Sequence, residues 1–320
     1  MVIILGALAL ILAAIVSAWL YTRKVDDKIR QHFPPSGQLL PVTGGTIHWQ
    51  ESGSGPPVVL IHGLSGNLHN FSGIEDALAK HYRVYAVDRP GSGHATRLSA
   101  TDADFAVQAT MLLEWMSHIK VNRALIVGHS MGGAVALRMA LLAPEKCAGL
   151  ALLCPLTAPL PDASGAMRRL YIPGPPTRRL LSATLATPYR LRNAKRNLDA
   201  IFAPDTVPAD FALKYGGALS MHSNACYEAI NDVAVMQGSL RQQSRLYHTI
   251  RCPTGVLFGA KDRILNPGYH TQCLARALPN LITEHLTDRG HMIPMTAPTQ
   301  CVEFINDIAR RAFPSSHPAD

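Results

Sequence analysis

The chain has 320 residues, 48% of them apolar and 16% charged, which supports a buried core and excludes wholesale disorder. A formal charge of +8 asks for an anionic partner, but no zinc-finger spacing, RNP-like aromatic motif or lysine-rich tail occurs, which sets nucleic acid aside. Six cysteines (Cys147, Cys154, Cys226, Cys252, Cys273, Cys301) stand singly without a CxxC pair. No disulfide framework, metal site or other cofactor is therefore expected, and a reducing compartment is favoured.

Met1 to Leu20 carry no charge and are almost all aliphatic. As a helix rising ~1.5 Å per residue they extend ~30 Å, one hydrocarbon thickness. Trp19 and Tyr21 stand at the end of the run, where amphipathic rings favour the headgroup zone, and Arg23 and Lys24 follow. Val16-Ser17-Ala18 resembles a signal-peptide cleavage site, but no Lys or Arg precedes the run and it exceeds a usual signal core. The expectation is a retained single-pass anchor over residues 1–21. The flank of Arg23, Lys24, Lys28 and Arg30 places the bulk of the chain on the cytoplasmic side. Residues 22–37, ending in Pro34-Pro35-Ser36-Gly37, read as a linker.

Strand patterns then recur: Thr46 to Glu51, Pro57 to Ile61, Arg83 to Val87, Ala124 to Val127 and Gly149 to Leu153. Phe105 to His118 and Gly132 to Leu142 read as helices between them. This alternation predicts an α/β fold with a mostly parallel sheet covered on both faces. Prolines from Pro155 to Pro176 break the rhythm, and strands resume at Pro253 to Phe258 and Leu281 to Leu286. The organisation expected is a core over 38–159, an inserted cap over 160–250, a second core part over 251–313 and a frayed tail over 314–320. From Leu160 to Arg251 the cap carries twelve Lys and Arg against six Asp and Glu. Arg168, Arg169, Arg178, Arg179, Arg190, Arg192, Lys195 and Arg196 lead this surplus. They fit either a solvated face or a basic amphipathic lid on an anionic leaflet.

Chemistry centres on Gly128-His129-Ser130-Met131-Gly132-Gly133, a Gly-x-Ser-x-Gly between a strand and a helix. That context is a nucleophile elbow, a sharp turn that lifts a serine hydroxyl clear of the sheet. Small residues at 128 and 132 let strand and helix pass closely. A serine needs a base and the base an orienting carboxylate, which follow later in the chain at strand ends. Asp262 leaves the strand Val256-Leu257-Phe258-Gly259, and His291 follows the last strand. His285 lies inside a strand pattern, and Glu284 and Asp288 read as solvated. His129 reads as a packing residue, and His62, His69, His94 and His270 have no carboxylate at a telling spacing. The strand Val58 to Ile61 ends in His62-Gly63, where the backbone N–H of Leu64 joins that of Met131 as an oxyanion hole.

These marks, with Asp88-Arg89-Pro90-Gly91-Ser92-Gly93, occur in the order of the α/β-hydrolase family, which the chain resembles from about Gln38 to Phe313. The resemblance implies an eight-stranded sheet with a cap inserted after the sixth strand. It also implies Ser130, Asp262 and His291 as catalytic triad, with Leu64 and Met131 as oxyanion donors. His94 and Ala95, closing the Asp88 motif, depart from the common pattern. The amino-terminal anchor makes the chain similar to membrane-anchored monoacylglycerol lipases.

The function expected is a serine hydrolase of carboxylic esters, with a small apolar ester or lipid drawn from the bilayer as substrate. Membrane lipids are the expected partners, through residues 1–21 and the basic cap. The alternatives are the same triad acting on a carbon–carbon or amide bond, and a non-catalytic hydrolase-fold membrane protein. Serine at 130 excludes chemistry that needs aspartate at the elbow.

Overall fold

The computed structural model describes residues 1–161 and 172–314. Helix α1 (Val2–His32) contains the apolar run, and an 18-residue window within it has mean hydropathy 2.7 with none of its residues buried. The polar stretch from residue 22, expected as a linker, stays helical to His32 because it has a surface to pack on. Thr22, Asp26 and Ile29 fall on one helical stripe and are buried. Thr22 Oγ1 donates to Thr184 O (2.9 Å), and the Asp26 carboxylate accepts the backbone N–H of Ser223 (2.9 Å) and its hydroxyl.

Among the described residues the strands are β1 (Gln38–Val42), β2 (Gly45–Ser52), β3 (Pro57–Ile61), β4 (Arg83–Val87), β5 (Thr96–Arg97), β6 (Ala124–His129), β7 (Cys147–Leu153), β8 (Thr254–Gly259) and β9 (Ile282–Leu286). Eight form one path, β1-β2-β4-β3-β6-β7-β8-β9, and the two-residue β5 pairs beside it with β2, a ninth strand beyond the eight expected. β1 and β2 run antiparallel at one edge, and all pairs from β4 to β9 are parallel. The central strands β6, β7 and β8 are buried at every residue, as unbroken apolar runs covered on both faces should be.

The described α-helices after α1 are α2 (Glu75–Leu78), α3 (Phe105–His118), α4 (Met131–Leu142), α5 (Pro175–Leu181), α6 (Thr187–Arg192), α7 (Ala194–Phe202), α8 (Ser223–Gln243), α9 (Pro267–Ala275), α10 (Ile293–Thr296) and α11 (Pro298–Ala312). β7 and β8 are neighbours in the sheet but lie 101 residues apart, from Leu153 to Thr254. The chain leaves the sheet there and builds α5 to α8, which form the inserted cap. A π-turn over Ser182–Ala186 joins α5 to α6 and carries the contact with Thr22.

Candidate active site

β6 runs directly into α4 at Ser130, whose backbone has φ 54° and ψ −120°. A left-handed serine is strained by about 1–3 kcal/mol and persists only where its surroundings hold it. Here they do: Ser130 N donates to Leu153 O (3.0 Å), while Ser130 O accepts from Gly133 N (3.0 Å) and Leu156 N (2.9 Å). The flanking glycines are required by close approach. A Cβ at Gly128 would stand 2.6 Å from Gly132 O, and one at Gly132 only 2.1 Å from Ile61 O.

The loops after β8 and β9 bring the other two groups to this hydroxyl. The Ser130 hydroxyl lies 3.0 Å from His291 Nε2, and His291 Nδ1–H donates to Asp262 Oδ2 at 2.6 Å. Asp262 Oδ1 accepts the backbone N–H groups of Ile264 (2.7 Å) and Leu265 (3.0 Å). Burial pushes the Asp262 carboxyl up. The His291 ring, through charge and hydrogen bond, and those two N–H groups outweigh burial and hold it below 3.8. The carboxylate is therefore ionised and fixed, able to orient the ring and to stabilise the imidazolium that forms when it takes a proton.

Gly63 packs against the elbow, since a Cβ there would stand 3.0 Å from Ser130 Cβ. Leu64 follows it, and Met131 opens α4 with the positive end of the helix dipole. The turn carrying Leu64 is fixed by His62 and Arg89, both within motifs the sequence marks, together with Gln108 and Asp232, which it does not. Backbone N–H of Arg89 donates to His62 Nε2 (3.0 Å), so His62 Nδ1 carries the proton and donates to Gly63 O (2.8 Å). Burial, helped by the charge of Arg89, lowers this ring to a pKa of about 4 and keeps it neutral. The Arg89 guanidinium donates to His62 O (3.0 Å), Gly63 O (3.2 Å), Gln108 Oε1 (2.7 Å) and Asp232 Oδ2 (3.0 Å). Asp232, on α8 of the cap, also takes Arg97 at 2.6 Å, and Glu228 pairs with the same Arg97.

A second cap carboxylate, Asp205, accepts from Gly290 N (2.7 Å) and from Arg289 Nη1 (3.0 Å), holding the loop before His291. The motif around Asp88 did point to this region, but Asp232 lies 143 residues from Arg89, and Asp205 lies 84 residues from Arg289, so neither cap carboxylate left a local signal.

His129 lies against His291 with ring centroids 5.1 Å apart, and its Nε2–H donates to His291 O (3.0 Å). Burial and then the neighbouring His291 lower its pKa to about 3, so it packs as a neutral ring. His94 closes the Asp88 motif: its backbone N–H donates to Asp88 Oδ2 (2.9 Å) and its ring meets His48 edge-on. His285 and Glu284 are exposed on β9, and Asp288 pairs with Lys261 at 2.9 Å on the surface. Cys154 sits with its Sγ within 4.8 Å of the Asp262 and His291 donor atoms, and burial raises its thiol well above the ordinary cysteine range. Of the basic cap residues, Arg178 is not on a face at all. It is buried, donating to Ile172 O (2.7 Å) and Asn231 Oδ1 (3.1 Å). Arg168, Arg169 and tail residues 315–320 lie outside the described residues.

A mostly parallel sheet with a serine elbow after β6, an acid after β8 and a histidine after β9 defines a hydrolase of the α/β class. The chain belongs to the α/β hydrolase fold family, which residues 56–298 match. It is 30% identical over 274 residues, 83% of this chain and 67% of the relative, to the dihydrolipoyllysine-residue acetyltransferase component of the acetoin cleaving system of Pseudomonas putida. Over 95 residues, 30% of this chain and 35% of the relative, it is 39% identical to the pimeloyl-acyl-carrier-protein methyl ester esterase of Vibrio vulnificus. Among solved structures it is similar in fold to a membrane phospholipase A described as a bacterial virulence factor. That match has TM-score 0.66 and 22% identity, over 98% of this chain and 99% of the other.

Proposed function

We infer that the protein is a membrane-anchored serine hydrolase in which Ser130, His291 and Asp262 form the triad and Leu64 and Met131 donate to the oxyanion. The observation that carries this reading is the relay itself, 3.0 Å from Ser130 Oγ to His291 Nε2 and 2.6 Å from Nδ1 to Asp262. His291 takes the Ser130 proton as Oγ attacks the ester carbonyl carbon. The negative charge that develops on the carbonyl oxygen meets the two backbone N–H groups, each worth about 2.7–4 kcal/mol in such sites. The tetrahedral intermediate collapses as His291 protonates the leaving alkoxide, leaving an acyl ester on Ser130. Water, deprotonated by His291, then releases the acid. Ionised Asp262 holds the Nδ1–H throughout.

The substrate class is a carboxylic ester with an apolar acyl group, of lipid or monoacylglycerol type. The Vibrio relative is named as a methyl ester esterase, and the match to the membrane phospholipase covers so much of the chain that it includes α1. α1 is read as a retained single-pass anchor, since its outer turns are built into the cap, with the catalytic domain on the cytoplasmic side. Arg179 stands beside α1, and exposed Arg192, Lys195 and Arg196 follow it along the cap; these cations suit an anionic leaflet. A panel of monoacylglycerols, short acyl esters, amides and vinylogous diketones, run with the full chain and with Ser130→Ala, tests the assignment. Ester turnover lost in the variant supports it. Turnover confined to amides or diketones would move the bond.

A further inference from the structure

The cap does not merely sit beside the anchor. Thr22 binds Thr184, and seven residues before Thr22 the same helix face still looks onto the cap across a groove. Ile15, Val16 and Trp19 of α1, with Pro176, Arg179, Leu180, Ala183 and Thr184 of α5 and the π-turn, line an open groove of about 450 Å³. Along α1 the groove therefore runs ~10 Å inward from Thr22, at ~1.5 Å per residue. Its α1 wall lies within the apolar run that ends at Tyr21. If residues 2–21 cross the bilayer, the cap segment at this depth lies below the plane of Trp19 and not in water.

Its side chains agree. Outside α1, four of the exposed large apolar residues crowd into one short stretch: Leu180 (55% exposed), Leu185 (56%), Tyr189 (61%) and Leu191 (38%). Cations flank them, Arg179 stacked on Tyr227 at 4.2 Å and Arg192 exposed at the end of α6. Apolar residues bordered by basic ones, on short helices lying beside a membrane span, make a surface for the boundary between headgroups and acyl chains.

We propose that residues 175–192 of the cap are a second membrane element, immersed in the leaflet from which α1 emerges, with lipid acyl chains filling the groove between them. The inference rests on α1 being an anchor and goes beyond it, because an anchor alone would leave the cap in water. It also explains why α1 continues as a rigid helix into Asp26 and Ile29: the cap is held at a fixed depth.

The test uses full-length protein in phosphatidylcholine vesicles whose acyl chains are brominated near the glycerol end, a contact quencher of tryptophan. Trp49 and Trp115 are buried in the core, so Trp19 is the reporter native to the anchor. Quenching present in the wild type and lost in Trp19→Phe reports the anchor. In that background Leu185→Trp, and separately Tyr189→Trp, place a reporter on the cap, and Leu98→Trp places one on an 81% exposed core position. Quenching of the two cap reporters to the level of Trp19, with none at position 98, is the result expected. Cap reporters no more quenched than position 98, beside a quenched Trp19, would overturn the cap proposal and leave the anchor standing. An unquenched Trp19 would remove both.

Discussion

The carboxyl edge of the sheet and the cap are held by opposite means. At the sheet edge, Ser130, Asp262 and His291 stand on turns leaving β6, β8 and β9, strands buried or paired along their length. Their geometry follows from backbone constraint, with glycines at 128 and 132 where no side chain fits. The cap has no sheet beneath it and is held by buried charge: Asp232 between Arg89 and Arg97, Asp205 on Gly290 and Arg289, Asp26 on Ser223. A backbone-built site tolerates little motion and serves chemistry. A cap pinned through a few ion pairs is the part whose removal or titration is felt first, and it reaches the chemistry through the Gly63 and Gly290 turns.

Breaking the backbone-built side gives the largest effects. Asp262→Asn keeps the shape but removes the charge that fixes the His291 tautomer, and kcat for ester hydrolysis should fall about 10⁴-fold, as in other triads. A steady-state assay with KM and kcat separated reads it, and unchanged kcat would assign the acid elsewhere. Gly132→Ala comes next. The new methyl must displace the end of β3 at Ile61, pulling the Leu64 donor from the oxyanion, with a loss of about 10²–10³ in kcat.

The charge-held side should show in stability. Asp232→Asn leaves two buried guanidinium groups short of a partner, and breaking a buried pair this way costs about 3–5 kcal/mol. Denaturant titration of the variant measures it, and a cap independent of this network would show little change. Acid should act in the same direction. His62 and His129 are held neutral with pKa about 4 and about 3 against 6.5 in the unfolded chain. Below pH 6.5 the unfolded chain binds the extra protons, so stability falls as pH drops from 6.5 towards 4. Asp262, depressed when folded, adds a further loss below its unfolded value of 3.8. Melting curves across this range should decline less steeply in His129→Gln. Lys195→Gln is the smallest change, since its pair with Asp199 is 90% and 53% exposed, and the melting temperature should stay put.

The sheet was legible chiefly where β6 and β8 each run as apolar residues into a glycine and then a chemical group. Periodicity located β3, β4, β6 and the helix Phe105–His118 closely. β1 was missed, being a solvent-facing edge strand with Pro41 inside it and little apolar alternation. The linker expected from residue 22 failed because its helicity depends on docking Thr22, Asp26 and Ile29 against the cap, a tertiary effect with no local signature. Charge counting treated Arg178 as part of a basic face, whereas the fold buries it on Asn231. Charge composition records how many cations a segment has and not where they point. The roles of Arg89, Asp205 and Asp232 need partners far along the chain, so no reading of spacing could supply them.

Fluorophosphonate labelling of the full-length protein tests the central claim most directly. The probe phosphonylates a serine only where a base has activated it and an oxyanion hole can bind the product. The wild type should be labelled at Ser130, with labelling abolished in Ser130→Ala and strongly reduced in His291→Ala. Absence of label on folded wild-type protein, or label that persists in Ser130→Ala, would contradict the account.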